Sequence, residues 1–159
     1  MKYPIMLDIT GKKVVIIGGG KVALRKITGL LDAGADILVV GLKILPEIKA
    51  MDVRVVEEAY RPEHLKAAFM IFICTDNPEI NQCVLRDREA GQLVNDTTDQ
   101  ANSDFFNMAT VTKNELIVGI STGGGNPSYA KKVKREVSQL VANLETEEIG
   151  KRNKNDKTC

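Results

Sequence analysis

The sequence predicts an α/β protein built on a doubly wound parallel sheet, and three observations lead to this prediction. Short apolar strands alternate with helical segments along most of the chain, as they do when helices connect parallel strands. The run from Met70 to Cys74 is apolar throughout, which is typical of a strand buried on both faces. A glycine-rich turn joins the first strand to the first helix. Together they indicate a doubly wound domain followed by a small strand-and-helix segment.

Local signals predict the elements of the doubly wound part. Strands are short runs rich in β-branched residues, whereas helices begin after a capping residue or a proline and end near a glycine. The predicted strands are residues 14–17, 37–40, 54–57, 70–74 and 93–95. The predicted helices are residues 23–31, 62–68 and 78–90, the last with Asn77 as its N-cap and Pro78 in its first position.

The chain changes character after residue 106. Strands at 107–111 and 116–121 flank a short turn and are predicted to pair antiparallel. A helix over residues 129–144 follows, with apolar residues at spacings of three and four. The last residues are charged and polar, so we predict a flexible tail. The predicted organisation is a domain at 1–106, a segment at 107–145 and a tail at 146–159.

The glycine-rich turn has the spacing of a dinucleotide-binding motif. Gly18, Gly20 and Ala23 satisfy the pattern G-x-G-x-x-G/A between the first strand and the first helix. The first glycine permits a tight turn, the second lets the backbone approach a pyrophosphate, and the third small residue allows close helix packing. Amide groups at the start of the helix face the phosphates, where the helix dipole favours negative charge. The motif therefore predicts a Rossmann-type nucleotide-binding domain.

The strand ends predict where the nucleotide lies but leave its identity open. Ligands of doubly wound sheets bind across the carboxyl ends of the strands. Those ends are predicted at Gly18, Gly41, Thr75 and Asn95. An NAD site often has an acidic residue about 20 residues past the first glycine, where it binds the ribose hydroxyls. Residues 40–43 contain none, and Lys43 also suits the 2′-phosphate of NADP.

Composition and charge exclude several classes of protein. Lysine and arginine number 22 against 21 acidic residues, and the formal charge of +1 argues against broad electrostatic binding of nucleic acid. No apolar run approaches the roughly 20 residues that span a bilayer, and no signal-peptide pattern is evident, so we expect a cytoplasmic protein without a membrane partner. The cysteines lack C-x-x-C spacing and the single histidine, His64, is expected to be an exposed structural residue. No metal site is predicted.

Several separated motifs occur in an order that identifies a family. They are Leu-Asp at Leu7, Gly-Gly-Gly-Lys-Val-Ala-Leu-Arg-Lys at Gly18, Cys-Thr-Asp-Asn-Pro-Glu-Ile-Asn at Cys74, Val-Asn-Asp at Val94, Ser-Asp-Phe-Phe at Ser103 and Ile-Ser-Thr-Gly-Gly-Gly-Asn-Pro at Ile120. With these motifs the chain resembles the precorrin-2 dehydrogenase family from about Tyr3 to Leu144. The resemblance implies NAD-dependent dehydrogenation of the tetrapyrrole precorrin-2 to sirohydrochlorin, on the route to sirohaem. Members are typically homodimers, and the segment at 107–145 is accordingly expected to serve dimerisation and substrate binding. Some members also insert ferrous iron; whether this chain is also a ferrochelatase stays open.

The resemblance also implies which residues hold the cofactor, which in this family is NAD. Positions matching those that hold the pyrophosphate are Gly18, Gly20, Lys21 and Val22. Leu42 and Lys43 match the adenosine side, Thr75 lies near the cofactor and Asn95 completes the nicotinamide side. For Thr75 and Asn95, helix capping and turn chemistry are the alternative explanation.

The family pattern is disturbed at the position of the catalytic carboxylate. The family places an important aspartate shortly after the strand that holds Asn95, and the matching position in this chain is Thr98. Asp99 follows one residue later and is the first candidate, as a general base or a group that stabilises positive charge on the substrate. Asp104 is the second candidate, and Asp96 precedes Thr98 by two residues. Each of these aspartates also suits a purely structural role as a turn cap.

The sequence also bears on the substrate class and on two alternative functions. Precorrin-2 carries many carboxylates, and the amides of residues 121–128 together with the cations on the following helix offer partners for them. Those cations, Lys131, Lys132, Lys134 and Arg135, equally suit a solvated helix face. A non-catalytic NAD-sensing module would explain the glycine turn but no motif beyond Asn95. A chelatase with a vestigial NAD site would have to rely on aspartates, because His64 is the only histidine.

Overall fold

The computed structural model describes residues 2–144, which form two compact units. The first unit is Tyr3–Phe106, and the second begins at Asn107 and includes Lys2. The tail predicted at 146–159 lies outside the described residues.

The first unit contains a five-stranded parallel sheet. Its strands are β1 (Lys13–Gly19), β2 (Asp36–Ile44), β3 (Arg54–Val56), β4 (Met70–Ile73) and β5 (Leu93–Asp96). Their spatial order is β3-β2-β1-β4-β5, and every pair is parallel. The chain therefore reverses its direction of winding between β1 and β4, which opens a crevice at the carboxyl ends of these strands. This topology confirms the doubly wound parallel sheet predicted from the sequence.

Helices cover both faces of this sheet and explain why its central strands are apolar throughout. The helices are α1 (Lys21–Asp32), α2 (Pro46–Lys49) and α3 (Pro78–Asp87). Alternate residues of β1 enter two separate cores: Val14 and Ile16 pack in the core that includes Ile27 of α1, while Val15 and Ile17 pack in the core that includes Val84 of α3. Burial on both sides leaves Val14 to Ile17 of β1 without a polar residue, as expected of a central parallel strand.

Several boundaries differ from the prediction for local backbone reasons. The helix predicted at 62–68 is a single 3₁₀ turn, Pro62–Leu65, because Lys66 is extended and Ala67 has a φ of 59°. Helix α3 ends at Asp87 rather than residue 90, because Arg88 has a ψ of 140°. The short helix α2 was not predicted. A second 3₁₀ turn, Gln100–Asn102, follows β5 and was not predicted.

The prediction that His64 is exposed is wrong. Its side chain is buried, with 9% of the residue accessible to solvent. The backbone N–H of Arg61 donates to His64 Nδ1 at 3.0 Å, and His64 Nε2 lies 2.8 Å from a carboxylate oxygen of Glu58. Since Nδ1 accepts a hydrogen bond, the proton of the ring resides on Nε2. His64 is thus a structural residue, as predicted, but its ring is buried and forms hydrogen bonds with Arg61 and Glu58, which precede it in the chain.

The second unit is a hairpin packed against one helix. Strands β6 (Ala109–Lys113) and β7 (Leu116–Ile120) pair antiparallel, and α4 spans Pro127–Asn143. Val111 of β6 and Val141 of α4 are its buried apolar residues among those that the structure describes. Helix α4 begins two residues earlier than predicted, with Asn126 as its N-cap. Across residues 2–144, no helix combines the length and the apolar character that a membrane span requires.

Candidate active site

The turn between β1 and α1 is built so closely that its first two residues must be glycine. Gly18 has a φ of 111°, and a Cβ atom on it would lie 2.6 Å from the carbonyl oxygen of Cys74, at the end of β4. A Cβ on Gly19 would lie 2.6 Å from Ile44 Cγ1, at the end of β2. The carbonyl of Gly19 also accepts a hydrogen bond from Leu45 N at 2.9 Å. The turn is therefore fixed between the ends of β2 and β4.

Gly20, in contrast, faces open space. It is the N-cap of α1, with a φ of −91° and a ψ of −168°, and no atom lies within 4 Å of a Cβ built on it. The first turn of α1 contains no acidic residue, and no side chain caps it. Its first amide groups have no intrahelical acceptor and form the positive end of the helix dipole. The open surface and these donors fit the pyrophosphate of a dinucleotide.

These glycines lead to a first prediction about stability. Gly18→Ala is expected to lower the free energy of unfolding by about 2–4 kcal/mol, because it adds a steric clash to a strained φ. Gly20→Ala is the matched control and should change it by less than about 1 kcal/mol, since its Cβ meets nothing. Urea unfolding of both variants tests the difference. Equal stabilities would contradict the assigned geometry of the turn.

The residues predicted to contact the adenosine half of the cofactor lie on an extension of β2 past Val40. The pairing of β1 with β2 shifts register after Ile17, so that Gly19 pairs with Ile44. Leu42 and Lys43 lie in this extension with exposed side chains, Leu42 being 76% accessible. Within residues 2–144, the Lys43 ammonium has no hydrogen-bond or ion-pair partner. The structure thus places both predicted residues beside the glycine turn, where a ligand can reach them.

Thr75 and Asn95 occupy the ends of β4 and β5, as predicted, but the side chains of both form hydrogen bonds to other residues of the protein. The hydroxyl of Thr75 accepts a hydrogen bond from Asn77 N at 2.8 Å, which forms the turn before α3. Asn95 is buried; its Nδ2 donates to the carbonyl of Phe105 at 2.9 Å, and its Oδ1 accepts from Lys26 Nζ at 3.1 Å. The contact of Thr75 agrees with the alternative of turn chemistry, whereas Asn95 links β5 to Phe105 and to Lys26 of α1.

Lys26 contacts one of the predicted site residues, Asn95, and was not singled out from the sequence. It lies on α1, donates to Asn95 Oδ1, and its ammonium stands 5.3 Å from the centre of the Phe72 ring. Burial lowers the pKa of Lys26, and the neighbouring Cys74 opposes this effect. The sequence signal for Lys26 is its spacing on the helix. It lies three residues after Ala23 and four before Leu30, both of which are buried. A lysine on the buried side of an amphipathic helix is unusual.

Asp96 organises the loop that follows β5. Its carboxylate is buried and accepts hydrogen bonds from Thr98 N at 2.8 Å, Thr98 Oγ1 at 2.7 Å, Asp99 N at 3.2 Å and Asn102 Nδ2 at 3.0 Å. Burial by itself would raise the pKa of Asp96, but the hydrogen bonds from Asn102, Thr98 and Asp99 together hold it below the usual value. Asp96 is therefore an ionised structural group inside the loop.

The two candidate catalytic aspartates differ in how much of each carboxylate is engaged. Asp99 is exposed, and its side chain accepts one hydrogen bond, from Ala101 N at 2.9 Å. Asp104 accepts from Val94 N at 2.9 Å and forms an ion pair with Arg88 at 2.7 Å. The carboxylate of Asp99 is thus less engaged within the protein and more open to contact with a ligand at this edge of the sheet.

A second prediction follows from the hydrogen bonds of Asp96. Asp96→Asn should lower the free energy of unfolding at neutral pH by about 2–3 kcal/mol, because it weakens charge-assisted hydrogen bonds. The folded pKa of Asp96 lies below the unfolded value of 3.8. Its contribution is complete above that value and is lost as the pH falls through the folded pKa. The difference between wild type and variant should therefore narrow below about pH 4; a constant difference down to acid pH would contradict this role.

The second unit contains the other predicted features. Thr122 Oγ1 exchanges hydrogen bonds with the backbone of Asn126, and Asn126 caps α4 through Tyr129 N. The four cations predicted to meet substrate carboxylates are exposed on α4: Lys131, Lys132, Lys134 and Arg135. Among residues 2–144, no group of three or more His, Cys, Asp and Glu side chains has the geometry of a metal site.

Comparisons with known proteins agree with this geometry. A family model described as "Putative NAD(P)-binding" matches residues 5–109, which include the whole parallel sheet. The chain is 31% identical to the precorrin-2 dehydrogenase of Bacillus subtilis over 142 residues, which cover 87% of this chain and 88% of that protein. The chain belongs to the precorrin-2 dehydrogenase family. The resemblance stated from the motifs is thereby confirmed, and Tyr3–Phe106 is the NAD(P)-binding unit of a member of this family.

Other members of the precorrin-2 dehydrogenase family extend the comparison. The solved structure of SirC, a precorrin-2 dehydrogenase, superposes with a TM-score of 0.78 at 31% identity, covering 87% of this chain and 71% of that one. Siroheme synthase 1 of Cronobacter sakazakii is 33% identical over 147 residues. That alignment covers 89% of this chain but only 31% of the synthase. The chain therefore spans less than a third of the length of such synthases.

Proposed function

We propose that this chain is an NAD-dependent precorrin-2 dehydrogenase that produces sirohydrochlorin in sirohaem biosynthesis. The observation that carries the proposal is that the open glycine turn after β1 and the loop with exposed Asp99 after β5 lie at the same carboxyl edge of one sheet. A hydride acceptor and a group that accepts a proton are the two requirements of dehydrogenation. The similarity to the Bacillus subtilis enzyme over 88% of its length supports the choice of substrate.

The residues of the chain divide the work of binding and proton transfer. Bound NAD supplies the hydride acceptor. The backbone at Gly18, Gly20, Lys21 and Val22 would hold its pyrophosphate at the start of α1. Leu42 and Lys43 would contact its adenosine half, and Thr75 and Asn95 would shape the edge beside its nicotinamide half. Asp99 would accept the proton from the macrocycle or stabilise its positive charge.

We favour NAD over NADP because the family relation supports NAD, whereas the one feature that suits NADP is Lys43. The exposed Lys43 ammonium is able to pair with a 2′-phosphate, and no carboxylate among residues 40–43 selects for the ribose hydroxyls. Glu57, just after β3, is occupied by Ile44 N at 3.3 Å and by Lys49 at 2.6 Å. We expect binding of NAD to survive Lys43→Ala, with any residual binding of NADP weakened about 10-fold. Titration of both nucleotides by calorimetry measures this.

The proposed activity can be tested directly. The purified protein is incubated with precorrin-2 and NAD, and formation of NADH is recorded at the same time as the absorption spectrum of sirohydrochlorin. Product that depends on NAD and appears without iron supports the dehydrogenase. Nucleotide binding without any product would contradict it and favour the sensing module. Adding ferrous iron after sirohydrochlorin has formed tests separately whether this chain inserts the metal.

We also propose a homodimer formed through residues 107–128. A two-stranded hairpin is rarely stable alone, and β7 exposes Leu116 and Ile117, which are 41% and 50% accessible. Tyr129, at the start of α4, is 56% accessible. Several exposed apolar side chains on one small unit are typical of an interface. Sedimentation equilibrium tests the proposal: we expect a dimer for the wild type and a shift toward monomer for Ile117→Lys, and a monomeric wild type would overturn it.

A further inference from the structure

Helix α3 buries a polar side chain against the sheet where an apolar one would be expected. Asn81 is 5% accessible and lies one turn after the N-cap, three residues before the core residue Val84. No described residue donates a hydrogen bond to its Oδ1 atom. Buried polar atoms are normally satisfied, and an unsatisfied one destabilises a protein. Stability alone therefore does not account for asparagine at this position.

The amide nitrogen of Asn81 joins the ends of two strands. Asn81 Nδ2 donates to the carbonyl of Thr75, after β4, and to the hydroxyl of Thr98, after β5, each at 3.2 Å. A carbonyl only accepts hydrogen bonds, so the nitrogen must face Thr75. The side chain thus ties the loop after β4 to the loop after β5 at the edge of the sheet where the candidate site lies.

The hydrogen bonds continue from Thr98 to the backbone of Asp99. The Thr98 hydroxyl, having accepted from Asn81, donates to Asp96 Oδ1 at 2.7 Å. The same oxygen accepts the backbone N–H of Asp99 at 3.2 Å. Hydrogen bonds that share a buried carboxylate reinforce one another and fix the groups that make them. A series of three side chains, those of Asn81, Thr98 and Asp96, therefore connects α3 to the peptide of Asp99.

We propose that Asn81 is a positioning residue that fixes Asp99 relative to the end of β4, through the hydroxyl of Thr98 and the carboxylate of Asp96. This proposal rests on the proposed function, in which Asp99 handles the proton. Its role is geometric: Asn81 itself contacts neither the substrate nor the cofactor. Removing its amide should leave the sheet and the glycine turn intact and should loosen residues 97–103.

The principal variant is Asn81→Leu, which keeps the approximate size of the side chain and removes its polar groups. We expect a midpoint of thermal unfolding close to that of the wild type, because removal of the unsatisfied buried acceptor offsets the loss of the two hydrogen bonds that Nδ2 donates. We expect kcat to fall about 10-fold with the Kd of NAD changed less than about twofold. Hydrogen–deuterium exchange, measured without substrate, should speed up in the peptide that covers residues 97–103.

Two further variants keep the test decisive. Thr98→Val removes the hydroxyl at the next step of the same series and should reproduce the lower kcat and the faster exchange, even if Asn81→Leu does not fold. Val84→Ala is the matched control, because it removes a buried side chain one turn along α3 without touching the hydrogen bonds. It should lower the midpoint of unfolding and leave exchange in residues 97–103 as in the wild type.

A double variant separates positioning from general damage. If Asn81 acts through Asp99, adding Asn81→Leu to Asp99→Asn should not lower kcat further. Multiplicative effects on kcat, or unchanged exchange in residues 97–103 for both Asn81→Leu and Thr98→Val, would overturn the proposal. A wild type that binds NAD but does not oxidise precorrin-2 would overturn the proposed function instead, and the exchange data would then decide the role of Asn81 alone.

Discussion

Gly20→Asp is expected to weaken binding of NAD by about 100-fold or more, equivalent to about 2.7 kcal/mol, while leaving the fold intact. The substitution places a carboxylate at the N-terminus of α1, where the pyrophosphate would bind, so two negative charges would compete for the same amides. The protein itself has room for the side chain, since nothing lies within 4 Å of a Cβ on Gly20. Aspartate is also a preferred N-cap, so stability should hold or rise as affinity falls.

Gly29→Asp is the control for this variant, because it introduces the same side chain into the same helix. Gly29 lies near the other end of α1, and a Cβ on it also meets no atom within 4 Å. We expect wild-type affinity for NAD in Gly29→Asp, measured by calorimetry, together with a small loss of stability from a negative charge near the C-terminus of the helix. Equal affinities for the Gly20 and Gly29 variants would refute the assignment of the turn.

Asp99→Asn is expected to lower kcat for precorrin-2 oxidation by about 100-fold or more, since general acid–base catalysis contributes about 10²–10⁴-fold. Asparagine keeps the oxygen that accepts from Ala101 N, so the 3₁₀ turn and the stability should change little. The Kd of NAD should change by less than about twofold, because Asp99 is assigned to proton transfer. Stopped-flow measurement of NADH formation at saturating NAD gives kcat.

Asp104→Asn provides the comparison within the same loop. It loses the ion pair with Arg88 and weakens the hydrogen bond from Val94 N, so it should reduce the free energy of unfolding by about 1–2 kcal/mol. Its effect on kcat at a temperature where it remains folded should be smaller than that of Asp99→Asn. A wild-type rate in Asp99→Asn with a large loss in Asp104→Asn would exchange the roles of the two residues.

The parts of the fold that the sequence predicted are those determined by neighbouring residues. The strand, glycine turn and helix from Lys13 to Asp32 depend on apolar periodicity and on the conformations that glycine allows. The cap of α3 at Asn77 is equally local, since its side chain accepts from Glu79 N and Ile80 N. These features need no information from distant parts of the chain.

The parts that the sequence did not predict depend on contacts between residues that are not immediate neighbours in the chain. The extension of β2 to Ile44 requires the pairing of Ile44 with Gly19, 25 positions earlier. The burial of His64 depends on the carboxylate of Glu58, and the structural roles of Asp96 and Asp104 depend on Asn102 and Arg88. An aspartate in a polar segment has the same local signature whether it caps a turn or faces a substrate. Only the fold distinguishes Asp99, whose side chain accepts a single hydrogen bond, from Ala101 N, among the described residues.

The fixed backbone between Gly19 and the end of β2 has a consequence for redesign of the cofactor preference. Gly19 pairs with Ile44, and its carbonyl accepts a hydrogen bond from Leu45 N. The glycine turn is therefore held directly against the extension of β2 that bears Leu42 and Lys43. In the proposed binding mode, affinity for the diphosphate would depend on main-chain atoms, whereas the choice between the two nucleotides would depend on the side chains of Leu42 and Lys43. Libraries randomised at positions 42 and 43 alone should yield variants with exchanged nucleotide preference and unaltered folding.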